Sequence, residues 1–154
     1  MSTPVNSSNL KVASIQMVST PSLQENLSTA SRLISSAAAD GAQLAVLPEY
    51  FCLMGLKDTD KVSARESFGS GPIQEQLSQI AKQNKLHLVA GTIPLEARDP
   101  NKVLNTTLVF DPAGQQITRY DKIHLFGFQT ETERYQESET IEAGNEPGIL
   151  KISV

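Results

Sequence analysis

Residues 44–51, Leu44-Ala45-Val46-Leu47-Pro48-Glu49-Tyr50-Phe51, decide how this chain is read. Leu44 to Leu47 is an unbroken apolar run of strand length, the pattern of a strand buried on both faces of a sheet. Pro48 has no N–H to give to a ladder, so the pairing ends there. Glu49 is thereby delivered to the end of a buried strand. In open α/β sheets, ligands lie beyond the carboxyl ends of the strands. Two readings of Glu49 stay open at this point. It is either a solvated loop acid, as most glutamates are, or a functional carboxylate beside a wall shaped by Pro48, Tyr50 and Phe51.

Upstream, Lys11 to Met17 alternates, with Val12, Ser14 and Gln16 against Ala13, Ile15 and Met17, and reads as a first strand. Ser22 with Glu25 forms a capping box that opens a helix. Leu23, Leu27, Ala30, Leu33, Ile34 and Ala37 recur along it at helical spacing, and Gly41 can end it. Strand, helix and strand make a βαβ unit with parallel strands and a right-handed crossover.

Downstream, Cys52 to Ser70 reads as a charged loop. Gly69-Ser70-Gly71-Pro72 opens a second helix with Pro72 in its first turn, and Ile73, Leu77, Ile80 and Ala81 give it an apolar stripe. Leu86 to Ala90 is the next strand, closed by Gly91, so the fold class to this point is α/β. Leu104 to Phe110 and Gln116 to Tyr120 flank the turn Asp111-Pro112-Ala113-Gly114 and must pair antiparallel, which makes the sheet mixed. The acidic stretch that follows is expected to be irregular. Ile149 to Val154 reads as a strand with Leu150, Ile152 and Val154 on one face. Met1 to Asn9 is expected to be a flexible tail. Because the chain stops inside an apolar strand, residues 10–154 are expected to form a partial domain.

The bulk composition narrows the function classes. At 154 residues there is room for one domain, and 39% hydrophobic with 19% charged residues is a globular balance. A net charge of −4 argues against a nucleic-acid partner. No apolar run is long enough for a membrane span, and the polar N-terminus does not resemble a secretory signal. The single cysteine, Cys52, excludes an internal disulfide and fits a reducing compartment, so a cytoplasmic setting is expected.

Candidate chemistry lies in two more places. Lys122, in Arg119-Tyr120-Asp121-Lys122-Ile123-His124-Leu125-Phe126, follows a strand and is flanked by apolar residues. It could stabilise negative charge on a substrate oxygen, or it could be a snorkelling surface lysine. Glu137 is one acid among several and reads on physics alone as solvated surface. Cys52 is close to Glu49, but a nearby carboxylate disfavours a thiolate, so Cys52 reads as buried packing. His87 and His124 with one cysteine do not make a metal site, and His124 suits a packing or substrate-lining role. The turn after the first strand has no dinucleotide-binding glycines. Gly69-Ser70-Gly71 could bind an anion, although a turn with an N-cap is the simpler reading.

Leu47-Pro48-Glu49 after an apolar strand, and Tyr120-Asp121-Lys122-Ile123-His124-Leu125-Phe126 after a hairpin, together resemble the nitrilase superfamily of carbon–nitrogen hydrolases. Ala13-Ser14-Ile15-Gln16-Met17, Gly41-Ala42-Gln43 and Asn105-Thr106 add to the match, and the spacing resembles the branch that holds deaminated-glutathione amidase and ω-amidase. The resemblance implies a homo-oligomeric α-β-β-α sandwich, of which this chain is the N-terminal part, a mixed sheet with helices on one face. It implies hydrolysis of a small amide or nitrile through a Glu-Lys-Cys triad, without a cofactor or metal. Carried over, Glu49 is the general base, Lys122 the stabiliser of the tetrahedral intermediate and Glu137 a supporting glutamate. Tyr50, His124 and Phe126 are substrate-lining candidates. The family's nucleophilic cysteine belongs to a later strand segment with which Cys52 does not align, so the chain is expected to be inactive alone. The alternatives are a non-catalytic interaction module with a nitrilase-like half-fold and, more distantly, a nucleotide-binding domain.

Overall fold

The computed structural model describes residues 9–149 and Ile152. The tail over residues 1–9 and the terminal strand over 149–154 therefore lie outside the described residues, apart from Asn9, Ile149 and Ile152, none of which is in a strand.

β1 (Val12–Ser14), β2 (Leu44–Val46) and β3 (His87–Val89) lie side by side and parallel. Helix α1 (Leu23–Ala39) joins the first pair, and a short helix α2 (Asp60–Ser63) and α3 (Pro72–Asn84) lie between the second pair. Because the strands step in one direction, right-handed crossovers place α1 and α3 on the same face, where they pack together. Leu27, Ala30 and Ile34 of α1 and Ile73, Leu77 and Ile80 of α3 close a core with Ile15, Ala45, Leu47, Leu88 and Ala90 of the sheet. Burying each of the larger side chains contributes about 1.5–3 kcal/mol.

The sheet then turns mixed. β4 (Ile93–Glu96) and β6 (Gln116–Asp121) both run antiparallel to the long β5 (Val103–Phe110), and β9 (Ile141–Glu142) pairs parallel with its first residues. One edge of β5 thus serves β3 and β4 in succession, and the other serves β6 and β9. A separate hairpin, β7 (Gly127–Gln129) with β8 (Arg134–Gln136), leads into a 3-10 turn at Glu137–Glu139.

Three expectations are corrected and one strand is added. The run Leu44–Leu47 is buried on one face only: Ala45 and Leu47 are buried, whereas Leu44 and Val46 are half-buried, because both packed helices lie on one side. The segment 52–70 contains α2, a single helical turn too short to show periodicity. β4 escaped the reading because Pro94 lies within it and opposes that assignment. The acidic stretch after residue 126 forms β7, β8 and β9 rather than irregular chain.

The start of α1 follows its sequence signal only in part. Ser22 accepts from the Glu25 N–H, but the Glu25 carboxylate turns to the Thr20 hydroxyl instead of completing the box. At α3 the glycine turn holds an anion that the chain itself supplies. Gly71 offers no capping side chain, and the buried Glu66 carboxylate accepts from Ile73 and Gln74 N–H at 2.6 and 3.2 Å. This places negative charge on the helix N-terminus, where the dipole favours it.

Gly91 decides where the β2 end can lie. Its φ is +49°, and a Cβ there would overlap the Pro48 carbonyl and crowd that of Leu47. The backbone immediately before Glu49 is thus seated against a residue with no side chain. Gly69, at φ +82°, has open space around it. Gly91→Ala is expected to lower unfolding free energy by about 2–4 kcal/mol, and Gly69→Ala by only about 1 kcal/mol of backbone strain. Urea unfolding of the two variants side by side checks the ranking, and equal losses would contradict it.

Candidate active site

Glu49 follows the β2 end, Lys122 follows the β6 end, and Glu137 opens the 3-10 turn after β8. The structure brings all three together. Lys122 Nζ lies 3.0 Å from Glu49 Oε1 and 2.9 Å from Glu137 Oε2, with Glu137 Oε1 at 3.1 Å. The Lys122 backbone N–H donates to the Asn105 carbonyl at 2.9 Å, which fixes the root of the side chain.

The two carboxylates differ in how fully they are engaged. Glu137 is only 4% exposed, which corrects the reading of it as solvated surface. Its Oε2 accepts from the Phe126 N–H at 2.7 Å and its Oε1 from the Tyr50 hydroxyl at 3.1 Å, besides Lys122. Burial alone would raise its pKa, but these donors outweigh burial and hold the carboxyl below the usual range. Glu49 is half-exposed, and both of its contacts fall on one oxygen. Oε1 accepts from Lys122 and from the Asn105 side-chain amide at 2.7 Å, while Oε2 has no partner among the described residues. Burial tends to lower the Lys122 pKa, but hydrogen bonds to Glu137 and Glu49 reverse this and raise it.

Asn105 was not singled out as a site residue. It lies on β5, is buried, and is a polar interruption of an apolar strand, which is the signal that could have marked it. Tyr50 does more than line a wall, since its hydroxyl belongs to the polar cluster and its ionisation is suppressed by burial and by Glu137. Its φ is +55°, a left-handed backbone that a bulky residue adopts only under constraint. The Tyr50 N–H is held by the Thr92 hydroxyl at 2.9 Å.

The remaining candidates separate. Phe126 is exposed beside the cluster, its backbone N–H on Glu137 and its ring 6.1–6.2 Å from those of Phe128 and Tyr135. His124 is exposed and makes no side-chain hydrogen bond among the described residues. Cys52 lies in the hydrophobic core, its thiol toward the Thr92 carbonyl, and burial pushes its pKa up to about 12. Among the described residues there is no group of His, Cys, Asp and Glu fit to hold a metal, and no helix long and apolar enough to cross a membrane.

A model of the carbon–nitrogen hydrolase family matches residues 11–154. The chain belongs to the carbon–nitrogen hydrolase family. This hydrolase-family chain is 36% identical over 142 residues to omega-amidase NIT2 of Xenopus tropicalis, covering 92% of the chain and 50% of that protein. It is 35% identical over 134 residues to deaminated glutathione amidase of Synechocystis, covering 86% and 48%. Among solved structures it is similar to Saccharomyces cerevisiae Nit3, a member of branch 10 of the nitrilase superfamily, with a TM-score of 0.74 and 29% identity over 89% of the chain and 49% of Nit3. The chain spans about half the length of the curated relatives it matches.

Glu137→Gln removes the buried anion and leaves Lys122 with Glu49 alone. A loss of about 1–3 kcal/mol in unfolding free energy is expected near neutral pH. Because the folded-state pKa of Glu137 is lowered, its contribution is complete above the ordinary value of 4.5 and is lost as pH falls through the folded value. Lys122 runs the opposite way, contributing fully below its ordinary 10.5 and losing that contribution as pH rises past its raised value. Unfolding curves of wild type and Glu137→Gln should therefore converge in acid, and a gap that stays constant below about pH 4 would contradict this.

Proposed function

We propose that this chain carries the proton-transfer and charge-stabilising part of a carbon–nitrogen hydrolase site that cleaves small linear amides. The observation that carries the proposal is the pairing of one ammonium with two unequal carboxylates. Glu137, with both oxygens engaged, has no lone pair aimed at a substrate and serves to hold Lys122. Glu49, with Oε2 free among the described residues, can take a proton and is the general base.

In this reading Glu49 removes the proton of a nucleophilic thiol, and the thiolate attacks the amide carbonyl. Lys122, charged across the neutral range, faces the oxyanion that forms. Collapse expels ammonia, which takes its proton from Glu49 acting as acid, and leaves a thioester. Water deprotonated by the same carboxylate then releases the acid product. The thiol is not Cys52, which is buried and strongly disfavoured as a thiolate, and it is the only cysteine in the sequence. The nucleophile must therefore come from residues other than these, and the chain alone is inactive. The family resemblance supports a homo-oligomer and a cytoplasmic setting as parts of the same proposal, and the amidases among its relatives support small amides as substrates.

Ammonia release from short ω-amides tests the reading. Residues 1–154 alone should release none. When the remainder of the fold is supplied, turnover should appear, survive Cys52→Ala, and fall by about 10²–10⁴-fold in Glu49→Gln and Lys122→Met. Turnover by residues 1–154 that Cys52→Ala abolishes would overturn it.

A further inference from the structure

The N–H and carbonyl of Glu49 have no backbone partner among the described residues. Upstream, the last fixed point is the Leu47 N–H on the Val89 carbonyl at 2.9 Å. Pro48 has no N–H to give, and its carbonyl rests on Gly91. Downstream, the next fixed point is the Tyr50 N–H on the Thr92 hydroxyl at 2.9 Å. The direction in which the Glu49 side chain leaves the backbone therefore depends on two residues of another segment, Gly91 and Thr92.

Those two residues form a bulge. Leu88 and Val89 of β3 pair with Phe110 and Val109, and the Ala90 N–H continues the ladder to the Leu108 carbonyl at 2.9 Å. Ile93 then opens β4 opposite Thr106. Gly91 and Thr92 are thus set against Thr107 alone, one residue more than the ladder needs. Gly91 takes up the insertion with its left-handed φ of +49°. A bulge bends its strand and re-aims a side chain. Here the side chain is that of Thr92, whose hydroxyl reaches Tyr50 beyond the end of β2. Tyr50 is a bulky residue at φ +55°, and its part-buried N–H has no other protein acceptor among the described residues.

We propose that Thr92 is a positioning residue for Glu49: the bulge aims its hydroxyl at the Tyr50 N–H, and this bond fixes the turn that sets Glu49 against Lys122. The inference rests on the amide-hydrolase reading for the role of Glu49 as base, and adds the residue that holds the base in place. The Thr92 side chain makes no hydrogen bond to Glu49 or Lys122 among the described residues, so its action passes through the Tyr50 backbone. Because Tyr50 also donates its hydroxyl to Glu137, the bond at Thr92 restrains both carboxylate arms of Lys122. Proton transfer works only within hydrogen-bond reach, so a base whose turn is loose loses its geometry before it loses its charge.

NMR of the folded 154-residue chain tests this, because it reads folded-state geometry, which a loss of stability alone does not move. Thr92→Val keeps the branched shape and removes the hydroxyl, whereas Thr92→Ser keeps the hydroxyl. The Lys122 Nζ resonance in Glu49→Gln marks the ammonium without its Glu49 arm. Thr92→Val should move that resonance most of the way to its Glu49→Gln position, and Thr92→Ser should leave it within error of wild type. The wild-type chain carries a second measurement, which stands even if Thr92→Val does not fold. Its Tyr50 amide should exchange with solvent at least about tenfold more slowly than the Glu49 amide, once intrinsic rates are divided out. An unmoved Lys122 resonance in folded Thr92→Val, a Thr92→Ser shift as large as that of Thr92→Val, or Tyr50 exchange as fast as that of Glu49 would each overturn the proposal. None of these readouts needs turnover. If they come out as expected while the chain with the remainder of the fold supplied releases no ammonia from ω-amides, the hold of Thr92 on Glu49 stands and the amide reading falls.

Discussion

The Lys122 ammonium, 3.0 Å from Glu49 and 2.9 Å from Glu137, draws together residues 73 and 15 positions away along the chain. The arms of this contact are unequal. The Glu49 arm is open to water and contributes at most about 1 kcal/mol on its own. The Glu137 arm ends on a buried carboxylate that also accepts from Tyr50 and Phe126, so breaking it strands charge away from solvent. Glu137 is therefore the anchor. Through it the β2 end, the β6 end and the β7–β8 hairpin share one fixed point, reinforced by the Glu137 N–H donating to the Phe126 carbonyl.

The same arrangement gives two glutamates different work. Every acceptor direction of Glu137 is spent on fold and on Lys122, and the carboxyl stays ionised. Glu49 keeps Lys122 and Asn105 on one oxygen and leaves the other open. Two residues of one type are thus separated by environment alone, one fully engaged and the other with an oxygen open. Asn105 matters here because its side-chain amide fixes the same Glu49 oxygen as Lys122 while adding no further charge.

The elements that position the site were legible where packing repeats. Leu27, Ala30 and Ile34 of α1, and Ile73, Leu77, Ile80 and Ala81 of α3, have helical spacing because each helix buries one face on the sheet, and all of them are buried. The β5–β6 hairpin was legible from its turn. Glu49 and Lys122 were legible as strand-end residues, but choosing them over bland readings took the family resemblance. Glu137 was not legible from physics, because its burial is set by Tyr50, 87 residues away in sequence, and by the Phe126 backbone. Pairing across such distances leaves no periodic trace.

Tyr50 shows why the strand end has to be strained. Successive residues of a strand point to opposite faces, yet Glu49 and Tyr50 are adjacent and both reach the Lys122 and Glu137 cluster. Both lie in the turn beyond β2, where extended alternation no longer holds, and Tyr50 takes a left-handed φ of +55° there. For a bulky residue this conformation costs about 1–3 kcal/mol, offset by the Thr92 hydroxyl on its N–H, the hydroxyl bond to Glu137 and the close seat of Pro48 on Gly91. The turn has a second effect, because the residues after it head inward: Phe51 and Cys52 are both buried in the hydrophobic core. The geometry that faces Glu49 toward Lys122 is thus the geometry that withdraws Cys52 from it. A carboxylate and a thiol three residues apart cannot both reach this cluster, and the backbone at Tyr50 gives the place to the carboxylate.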